Sequence, residues 1–277
     1  MSHLVVLFVL VVAPLTVRAD DSALDIIRKS VLVDQANNER AKDYTYIERE
    51  DERKLDSNGA MHSTGSKTYE TVFLYGRPFR RLIARDGKPL SERDAKKEAE
   101  RFDREVEKRR NESDKQRQKA LAEAEKERKE ARKFLTDIAD AYNFRLVGDE
   151  QVSGRDCWVI VAEPKPGYKP HDSESKNLTK LHGRVWIDKD GYHWVKAQAE
   201  VLETLSWGMF IARLSPGSRM EFEQTRVNGE VWLPRRMLFH LNARLMFKKM
   251  DAEFESDWSG YRKFATESKI VSGAESN

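Results

Sequence analysis

The stretch from Arg184 to Val201, RVWIDKDGYHWVKAQAEV, decides the fold. Two runs rich in Val, Trp and Ile flank the pair Asp190-Gly191, and an Asp-Gly pair between such runs is a strong signal for a β-hairpin. In the second run apolar side chains occupy every second position from Val195 to Val201, with Lys, Gln and Glu between them. Because side chains alternate between the faces of a strand, this pattern predicts a sheet with one apolar and one polar face.

The same pattern continues on both sides of this hairpin. Turn residues such as Ser215-Pro216-Gly217 and Asn228-Gly229 separate the apolar runs, which predicts antiparallel strands joined by short turns. We predict about eleven strands, at Tyr44–Leu55, His62–Tyr75, Pro78–Arg85, Phe144–Val147, Cys157–Ala162, Arg184–Ile187, Tyr192–Val201, Met209–Leu214, Met220–Val227, Val231–Leu241 and Leu245–Phe254. This number of strands predicts a mainly β fold, either a sandwich or a barrel that is closed or partly open.

Two segments carry a helical pattern instead. Apolar residues between Ala23 and Val33 recur near helical spacing and predict a short amphipathic helix. Residues 91–142 lack Gly and Pro and are dense in Glu, Lys and Arg, which predicts an exposed helical insertion with internal salt bridges rather than a basic nucleic-acid arm. We expect a break at Asn111–Ser113. The ends of the insertion should pack on the body, while its centre projects or folds back as a hairpin.

The first nineteen residues have the composition of a cleavable signal peptide. The apolar run from Leu4 to Val17 contains Pro14, and it is shorter than the roughly 20 residues of a membrane-spanning helix. Cleavage after Ala19 would release residues 20–277 as a soluble, exported, periplasmic chain, which we expect to form one domain. The leading region has no Lys or Arg, so a permanently anchored N-terminal helix stays open as an alternative.

Charge and motif content exclude several classes of function. Lys and Arg number 50 and Asp and Glu 47, for a formal net charge of +3, and this near-neutral balance argues against a nucleic-acid binder. The chain contains no Gly-x-Ser-x-Gly elbow, His-Glu-x-x-His helix, phosphate-binding Gly loop or Cys-x-x-Cys pair. We therefore predict no enzymatic activity, no catalytic residues, no metal and no cofactor. A hydrolase with a convergent polar pocket is the remaining enzymatic alternative.

A few residues invite a chemical role but have a simpler structural explanation. Cys157 begins the run Cys-Trp-Val-Ile-Val, the pattern of a buried strand, which favours an inert core thiol over a nucleophile. His182 and His193 flank the hairpin but lack a third metal ligand. The run Asp188-x-Asp190-Gly191 lacks the other ligands of a calcium loop, so a hairpin turn explains it.

The apolar face of the sheet supplies the candidate ligand site. Several residues expected on it are small or flexible, which would leave room inside a curved sheet. Trp207, next to Gly208, is expected at the mouth of this cavity. A filled core is the alternative interpretation of the same face. The predicted lining residues are Val195, Ala197, Trp207, Met220, Phe222, Leu233, Met237 and Phe239.

Three short motifs give the chain a family resemblance. Gly183–Asp188 ahead of Asp190-Gly191, Gly229–Pro234 and Tyr261–Phe264 are similar to the Trp-Ile-Asp, Val-Trp-Leu-Pro and closing Tyr-x-x-Phe segments of the LolA-like lipoprotein-sorting and lipoprotein-carrier superfamily. The resemblance implies a half-open antiparallel β-barrel whose concave apolar face, covered by helices, shelters acyl chains. The charged insertion is a departure, because it is far longer than a simple lid helix.

Two functions follow from this resemblance. The first is a periplasmic carrier or binding protein that shelters lipid or lipoprotein acyl chains, which needs no catalysis because each methylene removed from water contributes about 0.8 kcal/mol. The alternative is a regulatory or interaction module of the same fold. In that case the charged helix docks on a membrane protein of the cell envelope.

Overall fold

The computed structural model describes residues 19–55, 60–171, 175–207, 212–245 and 248–264. The predicted signal peptide lies outside these ranges except for Ala19. The helices are α1 (Ala19–Ala41), α2 (Glu92–Arg110), α3 (Asp114–Ala141) and α4 (Ser175–Leu178). The strands are β1 (Tyr44–Leu55), β2 (Met61–Leu74), β3 (Arg77–Arg85), β4 (Lys88–Pro89), β5 (Tyr142–Val152), β6 (Arg155–Pro164), β7 (Leu181–Asp188), β8 (Trp194–Val201), β9 (Leu205–Trp207), β10 (Ala212–Leu214), β11 (Arg219–Val227), β12 (Val231–Leu245) and β13 (Lys248–Lys263).

All the strands of the described residues belong to one antiparallel sheet. Its order is β4-β3-β2-β1-β13-β12-β11-β8-β7-β6-β5, while β10 pairs with β12 and with β9. Within the described ranges the end strands β4 and β5 are not paired with each other, so the sheet stays open. The predicted mainly β fold with a half-open barrel is confirmed. The prediction that residues 20–277 form one domain stays a prediction.

Four of the hairpins have the same kind of two-residue turn. Tyr75-Gly76, Asp86-Gly87, Ser153-Gly154 and Asn228-Gly229 each have a positive φ at both residues, as a tight type I′ turn requires. The hairpin between β7 and β8 differs, because there Tyr192 takes the positive φ and β8 begins only at Trp194. The predicted start of this strand at Tyr192 was therefore too early.

Helix α1 covers the apolar face of β5 to β8. Its side chains Ala23, Ile26 and Ile27 belong to one buried cluster, and we call the sheet face that they cover the helix face. The residues that the sheet contributes to this cluster include Tyr142, Phe144, Ile160, Ala162, Val185, Ile187 and Ala197. The amphipathic helix predicted at this position is thus present, and its apolar side packs on the sheet.

Two buried polar side chains bond α1 to the sheet. The amide of Asn37, 2% exposed, donates to the Trp232 carbonyl at 2.7 Å and accepts from the Trp232 amide N–H at 2.7 Å. Nearer the start of the helix, the Ser30 hydroxyl accepts a hydrogen bond from the Trp194 indole at 2.8 Å. Asn37 therefore pairs with β12 in the way that a neighbouring strand would, which fixes where the helix lies along the sheet.

Helix α2 covers the free edge of β3. The Glu98 carboxylate accepts from the Leu82 amide at 2.9 Å, and Arg101 donates to the Arg80 carbonyl. Phe102 packs edge-on against Phe79, with 5.6 Å between the ring centroids. An unpaired strand edge is a template for aggregation. The two-residue strand β4 pairs only with the end of β3, and these side chains of α2 bond to the part of that edge that β4 does not reach.

Arg109 anchors the end of α2. Its guanidinium, in a residue 8% exposed, donates to the carbonyls of Leu74 at 3.0 Å, Arg77 at 2.8 Å and Pro78 at 3.3 Å. The Glu105 carboxylate neutralises it at 2.6 Å. One arginine therefore satisfies three backbone carbonyls next to the turn between β2 and β3.

The break between the two long helices lies where the sequence predicted it. Asn111 ends α2, and Ser113 begins α3 with a capping box formed with Gln116. Glu112, between them, pairs with Arg77 at 2.5 Å, so the break is tied to the same turn as Arg109. α3 then returns to contact α1 and α4 and continues directly into β5.

The Asn37 pairing predicts the first stability difference. Replacing Asn37→Ala leaves a buried N–H and a buried carbonyl of Trp232 without partners, so the free energy of unfolding should fall by about 2–3 kcal/mol. Urea unfolding measures it. Asn38→Ala is the matched control, because Asn38 is exposed and bonds only within the helix, to Asp34. Equal effects of the two substitutions would contradict the conclusion that the Asn37 side chain pairs with the backbone of Trp232.

The Arg109 anchor predicts a second difference. Arg109→Met keeps most of the side-chain length but removes every donor to the three carbonyls, so unfolding should require about 2–3 kcal/mol less. Arg110→Met, one residue further and exposed, should change the free energy of unfolding by less than about 0.5 kcal/mol. A loss of similar size in both variants would show that the anchor is not specific.

Candidate functional site

The predicted lining residues separate into distinct groups. Met220 and Phe222 on β11, and Met237 and Phe239 on β12, come together on the helix face beside Ala197. Directly opposite residues of an antiparallel sheet share a face, and Ala197 pairs with Phe222, which pairs with Met237. The side chain of Trp207 lies outside the described part of the structure.

Two cross-strand rows make up this apolar surface. One row is Ala197, Phe222 and Met237, and the other is Ala199, Met220, Phe239 and Phe254. We call the large members, Met220, Phe222, Met237, Phe239 and Phe254, the apolar rows. Each of them is partly exposed, and none is part of the buried clusters described for this chain.

Phe254 belongs to this surface although it was not among the predicted residues. It lies directly opposite Phe239. The signal was present in the sequence, because Ala252 and Phe254 alternate with Asp251, Glu253 and Glu255 in the same way as on the neighbouring strands. Only the pairing of β12 with β13 shows that this alternation extends the apolar rows.

Val195 and Leu233 lie elsewhere, because the strand register is irregular beside them. The β7–β8 register shifts between Trp186 and Ile187, which leaves Val195 unpaired, and Val195 packs instead with Trp186 and Trp232 in a second cluster. A similar shift separates Glu223 from Gln224. Leu233, beyond that shift, packs with Tyr44 and Val231.

Charged residues border the apolar rows on the side of β1. Glu52 lies opposite Phe254 and Glu50 opposite Ser256. Arg80 of β3 pairs with Glu48 at 2.9 Å and with Glu50 at 2.7 Å, both on β1. Burial raises the pKa of Glu48, and the charge of Arg80 opposes this rise. The helix face thus changes from apolar to charged within one strand.

The opposite sheet face is polar and contains a cavity of about 670 Å³. We call it the polar-face cavity. Glu200 contacts Arg219 at 3.4 Å and His182 at 3.6 Å, and Gln198 donates to Glu221 at 2.5 Å. Of the eight predicted lining residues, Met220 alone borders this described cavity. The lining residues are Val161, His182, Gly183, Arg184, Gln198, Ala199, Glu200, Arg219, Met220, Glu221, Leu238, His240 and Glu253.

The cysteine and the Asp-Gly turn have structural surroundings. Burial, followed by the charge of Asp188, raises the pKa of the Cys157 thiol to about 11, so the thiol stays protonated at neutral pH. Asp188 accepts from Arg155 at 2.9 and 3.0 Å and from the Gly191 amide at 2.9 Å. Both carboxylate oxygens of Asp188 therefore accept hydrogen bonds from the protein itself, as expected for a residue that stabilises a hairpin turn.

Histidines are spread over the sheet rather than clustered. His182 lies opposite Glu200, at the far end of the hairpin from His193. The His193 ring stacks on Trp232, with 5.4 Å between the centroids, and burial lowers its pKa. Within the described ranges, no group of three or more His, Cys, Asp or Glu side chains is placed to hold a metal ion.

Helix α3 is exposed over most of its length. Every side chain described between residues 113 and 136 is exposed or half-exposed, and Leu121 is 42% exposed. Ion pairs four residues apart, such as Lys119–Glu123 and Lys126–Glu130, support such a helix in water. This confirms an exposed, salt-bridged helix at this position.

None of the helices in the described ranges is long and apolar enough to span a membrane.

Comparison with known proteins adds a likeness to solved structures. No family model and no curated protein matches the sequence. A DUF1329 family protein from Desulfovibrio piger is 13% identical, with 90% of this chain and 95% of that chain covered and a TM-score of 0.36. A putative outer membrane lipoprotein-sorting protein domain from Vibrio parahaemolyticus is 13% identical, with 88% and 95% covered and a TM-score of 0.33. A LolA superfamily protein from Nitrosomonas europaea is 11% identical, with 88% and 93% covered and a TM-score of 0.30.

Proposed function

We propose that this chain is an exported, periplasmic protein that carries or binds the acyl chains of a lipid or lipoprotein, with the apolar rows as the binding surface. One observation carries the proposal. Five large apolar side chains lie side by side on the helix face, and each stays partly exposed. Proteins in water rarely leave a contiguous apolar surface even partly open to water unless something binds there.

The shape and composition of the apolar rows suit a flexible chain. The row from Ala199 to Phe254 crosses four strands, which corresponds to roughly 14 Å at about 4.8 Å per strand. Met220 and Met237 have unbranched, polarizable side chains that adapt to different apolar shapes. An acyl chain laid along this surface would gain about 0.8 kcal/mol for each methylene removed from water.

The charged border suggests the orientation of the ligand. Glu48, Glu50 and Arg80 lie beyond Phe254 on the same face. In the proposed complex the acyl chain covers the apolar rows, and the polar end of the molecule lies toward β1, where it keeps contact with water and charge. Binding of this kind needs no catalytic group, which agrees with the absence of a catalytic motif in the sequence.

Adjacent residues of β12 allow a matched test of this proposal. Phe239→Ala removes a ring from the apolar rows and should weaken binding of a fluorescent fatty acid about tenfold, because burial of such a side chain contributes about 1.5–3 kcal/mol. Leu238→Ala changes the next residue, which points to the polar face and borders the polar-face cavity. Its effect on affinity should be within about twofold, a change of about 0.4 kcal/mol.

The measurement is a fluorescence titration of the full chain after cleavage of the predicted signal peptide, with urea unfolding to confirm that both variants fold. Failure of the unmodified protein to bind the fatty acid would refute the proposal. An equal loss of affinity in both variants would refute the assignment to the helix face.

The exposed helix supports a second candidate function. α3 presents a long charged surface on which Leu121 is exposed. A helix that only covers a ligand would not need such a surface. In this alternative the protein is a regulatory or interaction module, and α3 docks on a membrane protein of the cell envelope.

A crosslinking experiment separates the two candidates. A photoreactive amino acid in place of Leu121 should crosslink to one discrete membrane protein in intact cells if α3 is a docking helix. Leu202, 45% exposed on the body of the protein, is the matched control position and should give no such product. If the two positions give the same pattern, the docking function fails, whereas fatty-acid binding is unaffected by this result.

A further inference from the structure

The polar-face cavity is on the opposite side of the sheet from the apolar rows, so the function proposed above does not use it. Its volume of about 670 Å³ is within the range of pockets that hold small organic molecules. Two cross-strand rows form its walls. One is Val161, Arg184, Gln198, Glu221 and Leu238, and the other is His182, Glu200, Arg219, His240 and Glu253.

The carboxylates of the cavity are already neutralised by the protein. Although burial acts to raise it, hydrogen bonds from Gln198 and Lys196 hold the pKa of Glu221 below its usual value. Glu253 accepts from Arg53, and Glu200 lies 3.4 Å from Arg219. These carboxylates therefore leave little capacity for a cationic ligand.

Arg184 differs from the other charged groups of the cavity. Its neighbours across the strands are Val161 and Gln198, neither of which carries a charge. Arg184 is exposed, and among the described residues it forms no ion pair. Its guanidinium lies 5.9 Å from the centroid of the Trp186 ring. Arg184 thus brings a positive charge to the cavity without a counter-ion.

An apolar side chain flanks this charge in the same row. Val161 lies directly beside Arg184 and borders the cavity. Leu238 also borders the cavity, but it lies three strands from Arg184 on the other side, beyond Gln198 and Glu221. A guanidinium binds planar acidic groups through two parallel hydrogen bonds, while the aliphatic side chain of Val161 matches an apolar body.

We propose that the polar-face cavity binds a small organic anion, whose acidic group pairs with Arg184 and whose apolar body lies over Val161. The ligand class is a free carboxylate, sulfonate or phosphate ester with a compact apolar part. This site is distinct from the acyl-chain surface, because adjacent residues of one strand point to opposite faces of the sheet; of the apolar rows, only Met220 also borders the described cavity.

Two fluorescent probes of nearly the same shape test the charge. 8-Anilinonaphthalene-1-sulfonate carries an acidic group, and N-phenyl-1-naphthylamine is its neutral analogue. Both are titrated against the full chain with Phe239→Ala, so that binding to the apolar rows is weakened in the same way for all samples. Arg184→Gln should then weaken binding of the sulfonate at least tenfold, since a hydrogen bond to a charged group contributes about 1.5–3 kcal/mol.

Arg226→Gln is the matched control. Arg226 is an exposed arginine of β11 that does not border the cavity, and its loss should change sulfonate binding by less than twofold. The neutral probe should respond to neither substitution. If both arginine variants weaken the sulfonate equally, or if the neutral probe loses as much affinity as the sulfonate, the cavity is not an anion site. Neither result bears on fatty-acid binding, so failure here is distinguishable from failure of the proposed function.

Discussion

The central strands β8, β11, β12 and β13 carry mainly apolar side chains on the helix face and mainly polar or charged side chains on the other, and a shift of one residue in any of their pairings would exchange the two. The charged face itself helps to hold the pairing. Glu255 on β13 accepts from Arg53 on β1 at 2.8 Å and from Arg236 on β12 at 2.6 Å. This ion pairing across three strands fixes the register at the centre of the sheet, directly behind the apolar rows.

An open sheet also has free edges, and the helical insertion contacts both ends of this sheet. Glu98 and Arg101 of α2 bond to the backbone of β3 at Leu82 and Arg80. α3 then runs into β5, the strand at the other end of the sheet. The insertion therefore connects the two ends of the sheet that do not pair with each other. Its length, which separates this chain from a simple lid helix, has a structural purpose in addition to any partner.

The fold was largely predictable from the sequence because alternation along strands and X-Gly turns are local signals. The candidate site was only partly predictable. Val195 and Leu233 have the parity of the apolar face, but register irregularities beside them move them into other clusters, and such irregularities depend on the neighbouring strand. Phe254 was missed because the sequence does not show that Phe254 of β13 lies opposite Phe239 of β12. The anchoring role of Arg109 was hidden because it lies in a segment where nearly every residue is charged.

The sequence predicts the polar face but not the cavity on it, because alternation along one strand does not show how charges pair across strands. Glu221 and Glu223 of β11 both pair with Lys196 of β8, and two cross-strand rows form the walls of the cavity. Arg184 stands out only after these pairs are assigned, since its charge is then the one without a counter-ion among the described groups of the cavity. Leu238 and Phe239 are consecutive residues of one strand, so the two surfaces share a backbone, and of the apolar rows only Met220 also borders the described cavity. Changes on one face can therefore alter its ligand without changing the chemistry of the other.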